Sequence, residues 1–72
     1  MSDQVPQGCP LTPPQLETIR WLSLGKTGEE IGEILGISRR AIERRLDRAK
    51  AVTGTYNRHG IVGFCLRKGW IT

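Results

Sequence analysis

The chain has 72 residues, 38% of them apolar, and its 11 Lys and Arg against 7 Asp and Glu give a net charge of +4 at neutral pH. One small core fits this length and a deep pocket does not, which argues against an enzyme. No apolar run approaches the ~20 residues of a membrane-spanning helix and no basic-then-apolar leader opens the chain, so neither a membrane partner nor secretion is expected.

Residues 1–10 hold two of the four prolines, a glycine and several polar residues without periodicity. They predict a flexible N-terminal arm, with the folded domain over residues 11–72. The first helix begins after Thr12, with Pro13 at its first position and Gln15 at its third, the pattern of a capping box. Leu11 and Leu16 are spaced as a hydrophobic staple, Leu16, Ile19 and Leu22 form an apolar stripe, and Gly25 ends the helix.

Thr27 and Glu30 make a second capping box. Ile31, Ile34 and Leu35 follow at helical spacing, and Gly36 stops the helix. Gly32 lies inside it, where glycine costs roughly 1 kcal/mol against alanine. Close approach by another helix is the expected reason. Ser38 caps a third helix, over about residues 38–52, with Ile37 and Ile42 as a staple and Ile42, Leu46 and Ala49 facing inward. Only Gly36, Ile37 and Ser38 separate the second and third helices, the short glycine-containing connection of a helix-turn-helix. Asn57 caps a fourth helix, over about residues 58–68, with Tyr56 and Ile61 as its staple. Ile61, Val62, Cys65 and Leu66 are expected inward, Gly69 ends the helix, and Trp70 and Ile71 fold back. The fold class is all-α, four helices, with Ile19, Leu22, Ile31, Leu35, Ile42, Leu46, Ile61, Val62 and Leu66 in the core.

Charge is divided along the chain. Residues 1–38 carry Arg20 and Lys26 against Asp3, Glu17, Glu29, Glu30 and Glu33, a net of −3; residues 39–72 carry a net of +7. A polyanion partner is expected for the second half, nucleic acid ahead of a membrane surface. On the third helix, Arg40, Glu43, Arg44 and Asp47 form a stripe opposite the core residues, flanked by Arg39, Arg45, Arg48 and Lys50. A helix is about 10–12 Å across and fits the major groove of B-DNA. The flanking arginines suit phosphates and the central stripe suits base edges. The competing reading is a solvated face neutralised by the pairs Arg39–Glu43, Arg40–Glu43 and Arg44–Asp47. Cys9, Cys65 and His59 lack the paired spacing of a zinc site, so no metal or cofactor is expected and both cysteines read as free thiols.

The order Leu11-Thr12-Pro13, Leu16-Glu17, Gly25, Glu30-Ile31, Leu35, Ile37-Ser38, Ile42, Gly54, Asn57-Arg58, Val62 and Gly69 resembles the LuxR-type (GerE-like) helix-turn-helix. Leu46 and Ala49 look closest to the quorum-sensing branch. The resemblance covers residues 11–71. It implies a bacterial cytoplasmic, nucleoid-associated transcription regulator that binds double-stranded DNA as a dimer, with the third helix in the major groove. Carried over by position, it places base contacts at Glu43, Arg44 and Asp47. It places phosphate contacts at Thr27, Ser38, Arg40, Arg45 and Arg48, which Arg39 and Lys50 flank. Pairing falls to the fourth helix, where Gly60, Gly63, Phe64 and Arg67 share a face and a weak homodimer is expected. The chain departs from the family pattern in having Arg45 where a His is usual, Val52-Thr53 before Gly54, and acidic Glu43 and Asp47. The departures and the missing input domain keep a second function open, a free-standing module that pairs with and inhibits a LuxR-type regulator or RNA polymerase.

Overall fold

The computed structural model describes residues 6–72. Among them lie four helices and no strand: α1 (Pro13–Ser23), α2 (Gly28–Leu35), α3 (Arg39–Thr53) and α4 (Arg58–Lys68). Residues 1–5 of the expected arm lie outside the described residues. In residues 6–10 the Cys9 amide donates to the Pro6 carbonyl at 3.0 Å and the Cys9 side chain packs against the core. Cys9 thus touches the domain, while Gln7, Gly8 and Pro10 are exposed.

Each helix starts where its cap residue places it. The Thr12 amide donates to Gln15 Oε1 at 2.9 Å, and the Thr27 amide to Glu30 Oε1 at 2.9 Å, closing both capping boxes. Ser38 and Asn57 accept from the amides of Ala41 and Gly60 at 3.1 and 2.8 Å. These bonds satisfy amides that a helix start otherwise leaves open. The hydrogen bonds from Thr27, its backbone amide first, hold the Glu30 carboxyl below its ordinary pKa. At the far end of α2, Gly36 takes φ +71°, a left-handed conformation that reverses the chain into α3 within three residues. Gly32 has a close neighbour, but it is not the packed face of another helix. A Cβ there would stand 2.7 Å from the Ile37 carbonyl oxygen and 3.5 Å from the Arg39 nitrogen. The neighbour is the backbone of the α2–α3 turn, and the Ile37 amide donates to the Gly32 carbonyl at 2.9 Å.

α1 and α3 each pack against all three other helices, whereas the backbones of α2 and α4 do not come close. The core comprises Leu11, Leu16, Ile19, Ile31, Ile42, Leu46, Ala49, Ile61, Cys65 and Ile71. Leu22, Leu35 and Val62 are half-buried at its margin rather than inside it. Leu66 is 47% exposed, against expectation. The inward stripe of α4 is only Ile61 and Cys65, and Leu66 stands roughly 100° further round the helix. Ile34 is 45% exposed because one flank of α2 has no helix over it. Tyr56 is 94% exposed and makes no staple with Ile61. Thr18, unremarked in the sequence, is fully buried, with its hydroxyl donating to the Pro14 carbonyl at 2.9 Å. Ile71 folds back into the core and Trp70 lies over its edge.

Candidate nucleic-acid interface

α3 runs for 15 residues, about 22 Å. Ile42, Leu46 and Ala49 seat it on the core, which leaves Arg39, Arg40, Arg44, Asp47 and Arg48 exposed. The pairs Arg39–Glu43, Arg40–Glu43 and Arg44–Asp47 do not form among the described residues. Asp47 instead pairs with Lys50 at 3.3 Å, its own side chain 71% exposed. Glu43 accepts from Arg58 Nη2 on α4 at 2.6 Å. Among the described residues, Arg39, Arg40, Arg44, Arg45 and Arg48 therefore have no carboxylate partner. The cationic face of α3 stays available to an external anion.

The face has two flanks. On one side Ala41, Arg44, Arg45 and Arg48 line a cleft of about 350 Å³ against Thr12 and Gln15 at the start of α1. Arg45 is half-buried there and donates from Nη1 to Thr18 Oγ1 at 3.5 Å. On the other side the Glu43 carboxylate lies beside Gly28, at the first turn of α2, and beneath Arg58. The expectation of Glu43 as a reading residue thus meets a carboxylate turned sideways, away from the exposed stripe of Arg40, Arg44 and Asp47. Arg58 escaped residue-level reading because its partner lies 15 positions away on another helix. Only the Asn57-Arg58 pair in the resemblance marked it. Thr27 and Ser38 are both exposed at helix N-termini, and Lys50 is half-buried and engaged by Asp47.

The expected pairing face on α4 is rearranged. Phe64 is half-buried against Trp70, ring centroids 5.5 Å apart at 56°, with Lys68 Nζ 5.6 Å over its ring. The left-handed Gly69 turns Trp70 back onto it. Phe64 therefore does not stand free as an anchor. A Cβ on Gly60 would meet Asn57 Oδ1 at 3.3 Å, whereas one on Gly63 would meet only the far end of Arg67. Gly63 lies instead with Val62 and Leu66 along a groove of about 530 Å³, with Leu22 opposite and Arg58 and His59 at one end. His59 is exposed. No group of three or more His, Cys, Asp or Glu that could hold a metal occurs among the described residues.

No protein-family model matches the chain. Among curated proteins, the transcriptional activator protein BjaR1 of Bradyrhizobium diazoefficiens is 44% identical over 57 residues, 79% of this chain and 24% of that protein. The HTH-type quorum sensing-dependent transcriptional regulator VjbR of Brucella abortus is 39% identical over 61 residues, 85% of this chain and 24% of that protein. VjbR of Brucella ovis matches to the same extent. The chain spans about a quarter of the length of the curated relatives it matches. With this helix order, the three-residue turn before α3 and these relatives, the chain is a LuxR-type helix-turn-helix domain.

Proposed function

We propose that this domain binds double-stranded DNA sequence-specifically as the reading part of a bacterial transcription regulator, with α3 in the major groove. The observation that carries this is the row of arginines on α3 without carboxylate partners. A solvated, self-neutralised face would have spent Glu43 and Asp47 on those arginines; they are spent on Arg58 and Lys50 instead. Arg44, at the middle of the exposed stripe, suits a bidentate pair with guanine O6 and N7, and Asp47 can accept from a cytosine amino group. Arg39, Arg40, Arg45 and Arg48 stand where the two phosphate walls pass, and Ser38 and Thr27 offer helix N-termini to the same backbone. Pairing of two copies falls to α4, through Val62, Gly63 and Leu66 rather than Phe64. Such a regulator works on the nucleoid in the cytoplasm.

A gel shift on promoter fragments from the source chromosome, at low and raised salt, tests the reading. A specific band is expected, with affinity falling as salt rises by a log–log slope of about 0.9 per phosphate contacted. Binding only to a LuxR-type regulator or to RNA polymerase, with no shifted DNA, overturns it in favour of an interaction module.

A further inference from the structure

A carboxylate on the helix that enters a polyanion's groove needs a reason to be there. Glu43 is such a group, and its surroundings are specific. Its Oε2 accepts from Arg58 Nη2 at 2.6 Å, a short charge-assisted bond that ties α3 to the first turn of α4. The space for it is left by Gly28, buried at the first position of α2. A Cβ on Gly28 would lie 2.8 Å from Glu43 Oε2, 3.7 Å from Arg58 Nη2 and 3.8 Å from Ile42 Cγ2. α2, α3 and α4 therefore meet around this one carboxylate, although the backbones of α2 and α4 do not come close.

Resting on the DNA-binding reading above, we infer that Glu43 reads no base and is a positioning residue. With Arg58 as its counter-charge and Gly28 as its seat, it forms a clamp. The clamp keeps negative charge out of the groove and fixes the first turn of α4 against α3. Both side chains are partly exposed, 37% for Glu43 and 43% for Arg58, so the clamp adds little to stability. Its effect is on where charge sits when DNA arrives. Arg58→Gln removes a cation and also releases the carboxylate toward phosphate. Gly28→Ala does something more selective. It changes no charge, yet its methyl group would stand 2.8 Å from the carboxylate oxygen and push it from its seat.

Two readouts test the clamp. The first needs no DNA: the Arg58 Nε–H resonance in a nitrogen–proton correlation spectrum should move on Glu43→Gln, and move the same way on Gly28→Ala. The second is affinity and base preference on randomised half-sites. Glu43→Gln should leave base preference unchanged. Arg58→Gln should weaken binding to every sequence on the order of tenfold, what one unit charge roughly 10 Å from a phosphate is worth at an effective dielectric near 20. Adding Glu43→Gln to Arg58→Gln should recover most of that loss. A Glu43→Gln protein with altered preference at one base pair overturns the clamp in favour of base reading. So does a double variant as weak as Arg58→Gln, or an Arg58 resonance indifferent to Glu43→Gln. A parent chain that shifts no DNA overturns the clamp together with the DNA-binding reading; a binding parent without the rescue overturns the clamp alone.

Discussion

Arg44 and Arg48 sit one helical turn apart, both exposed and both lining the cleft against α1, yet their expected work differs. Arg44 lies centrally on the stripe and Arg48 lies toward its edge. Arg44→Ala should cost about 1–3 kcal/mol of binding and relax preference at one position, while Arg48→Ala should weaken all sequences alike and lower the salt slope by about 1. Fluorescence anisotropy on matched and mismatched duplexes across a salt series separates the two; identical behaviour removes base reading from Arg44. At the core, burial pushes the Cys65 thiol from its ordinary 9.0 up to about 11, with nearby Cys9 adding to the rise. The raised value favours the folded state fully below the unfolded pKa, and the advantage is lost as pH rises from about 9 through 11. Iodoacetamide at pH 8 should therefore label the half-buried Cys9 first and reach Cys65 only after unfolding. Equal labelling rates in the native protein would mean that Cys65 is not sealed.

The helices were legible wherever their signals were local. Thr12, Thr27, Ser38 and Asn57 cap the helices they precede, because a cap bonds an amide three residues on and needs nothing distant. Gly32 was legible as a close approach, though not as an approach by its own turn. On α4 the inward Ile61 and Cys65 were legible, but how far the inward side extends was not, because Cys65 and Leu66 are adjacent apolar residues and only packing against α1 and α3 leaves Leu66 outside. Two substitutions test the packing that resulted. Leu46, 2% exposed at the centre of α3's inward face, should cost about 2–5 kcal/mol when truncated to alanine, through the cavity left behind. In a domain this small that loss brings the unfolded state into range, and an unchanged Tm for Leu46→Ala would refute this core face. Gly32→Ala should destabilise by about 1–3 kcal/mol through overpacking, although alanine is the better helix former. Its methyl would press on the Ile37 carbonyl, which belongs to the backbone of the turn and has no rotamer by which to yield. A urea midpoint at or above that of the parent would refute that contact.

At the scale of the whole molecule, residues 39–72 carry the positive charge and residues 1–38 a negative balance. The exposed Arg39, Arg40, Arg44 and Arg48 lie on α3, while the exposed Glu29 and Glu33 lie on α2. That division was legible from charge counting; the diversion of Glu43 from α3's arginines was not, since Arg58 comes from a distant part of the chain, whereas Asp47 goes to Lys50, a local partner that spacing alone could have offered. The domain has principal extents of 29 × 29 × 19 Å; on the proposed function one copy would cover one half-site, and pairing of two copies would raise specificity. The surface proposed for this pairing is the Val62–Gly63–Leu66 face of α4, which lines the groove beside Leu22. Leu66 is 47% exposed and stands outside the core, so Leu66→Glu should leave the fold intact. Covering the exposed half of a leucine is worth about 1 kcal/mol. A two-fold interface counts it twice, about 2 kcal/mol, or roughly thirtyfold in the cooperativity between adjacent half-sites. Titrating the parent and Leu66→Glu proteins on single and paired half-sites should show equal affinity for the single site and loss of cooperativity on the pair. Gly63→Arg should do the same by steric bulk. Undiminished cooperativity in both variants would place the pairing surface on another face of the molecule.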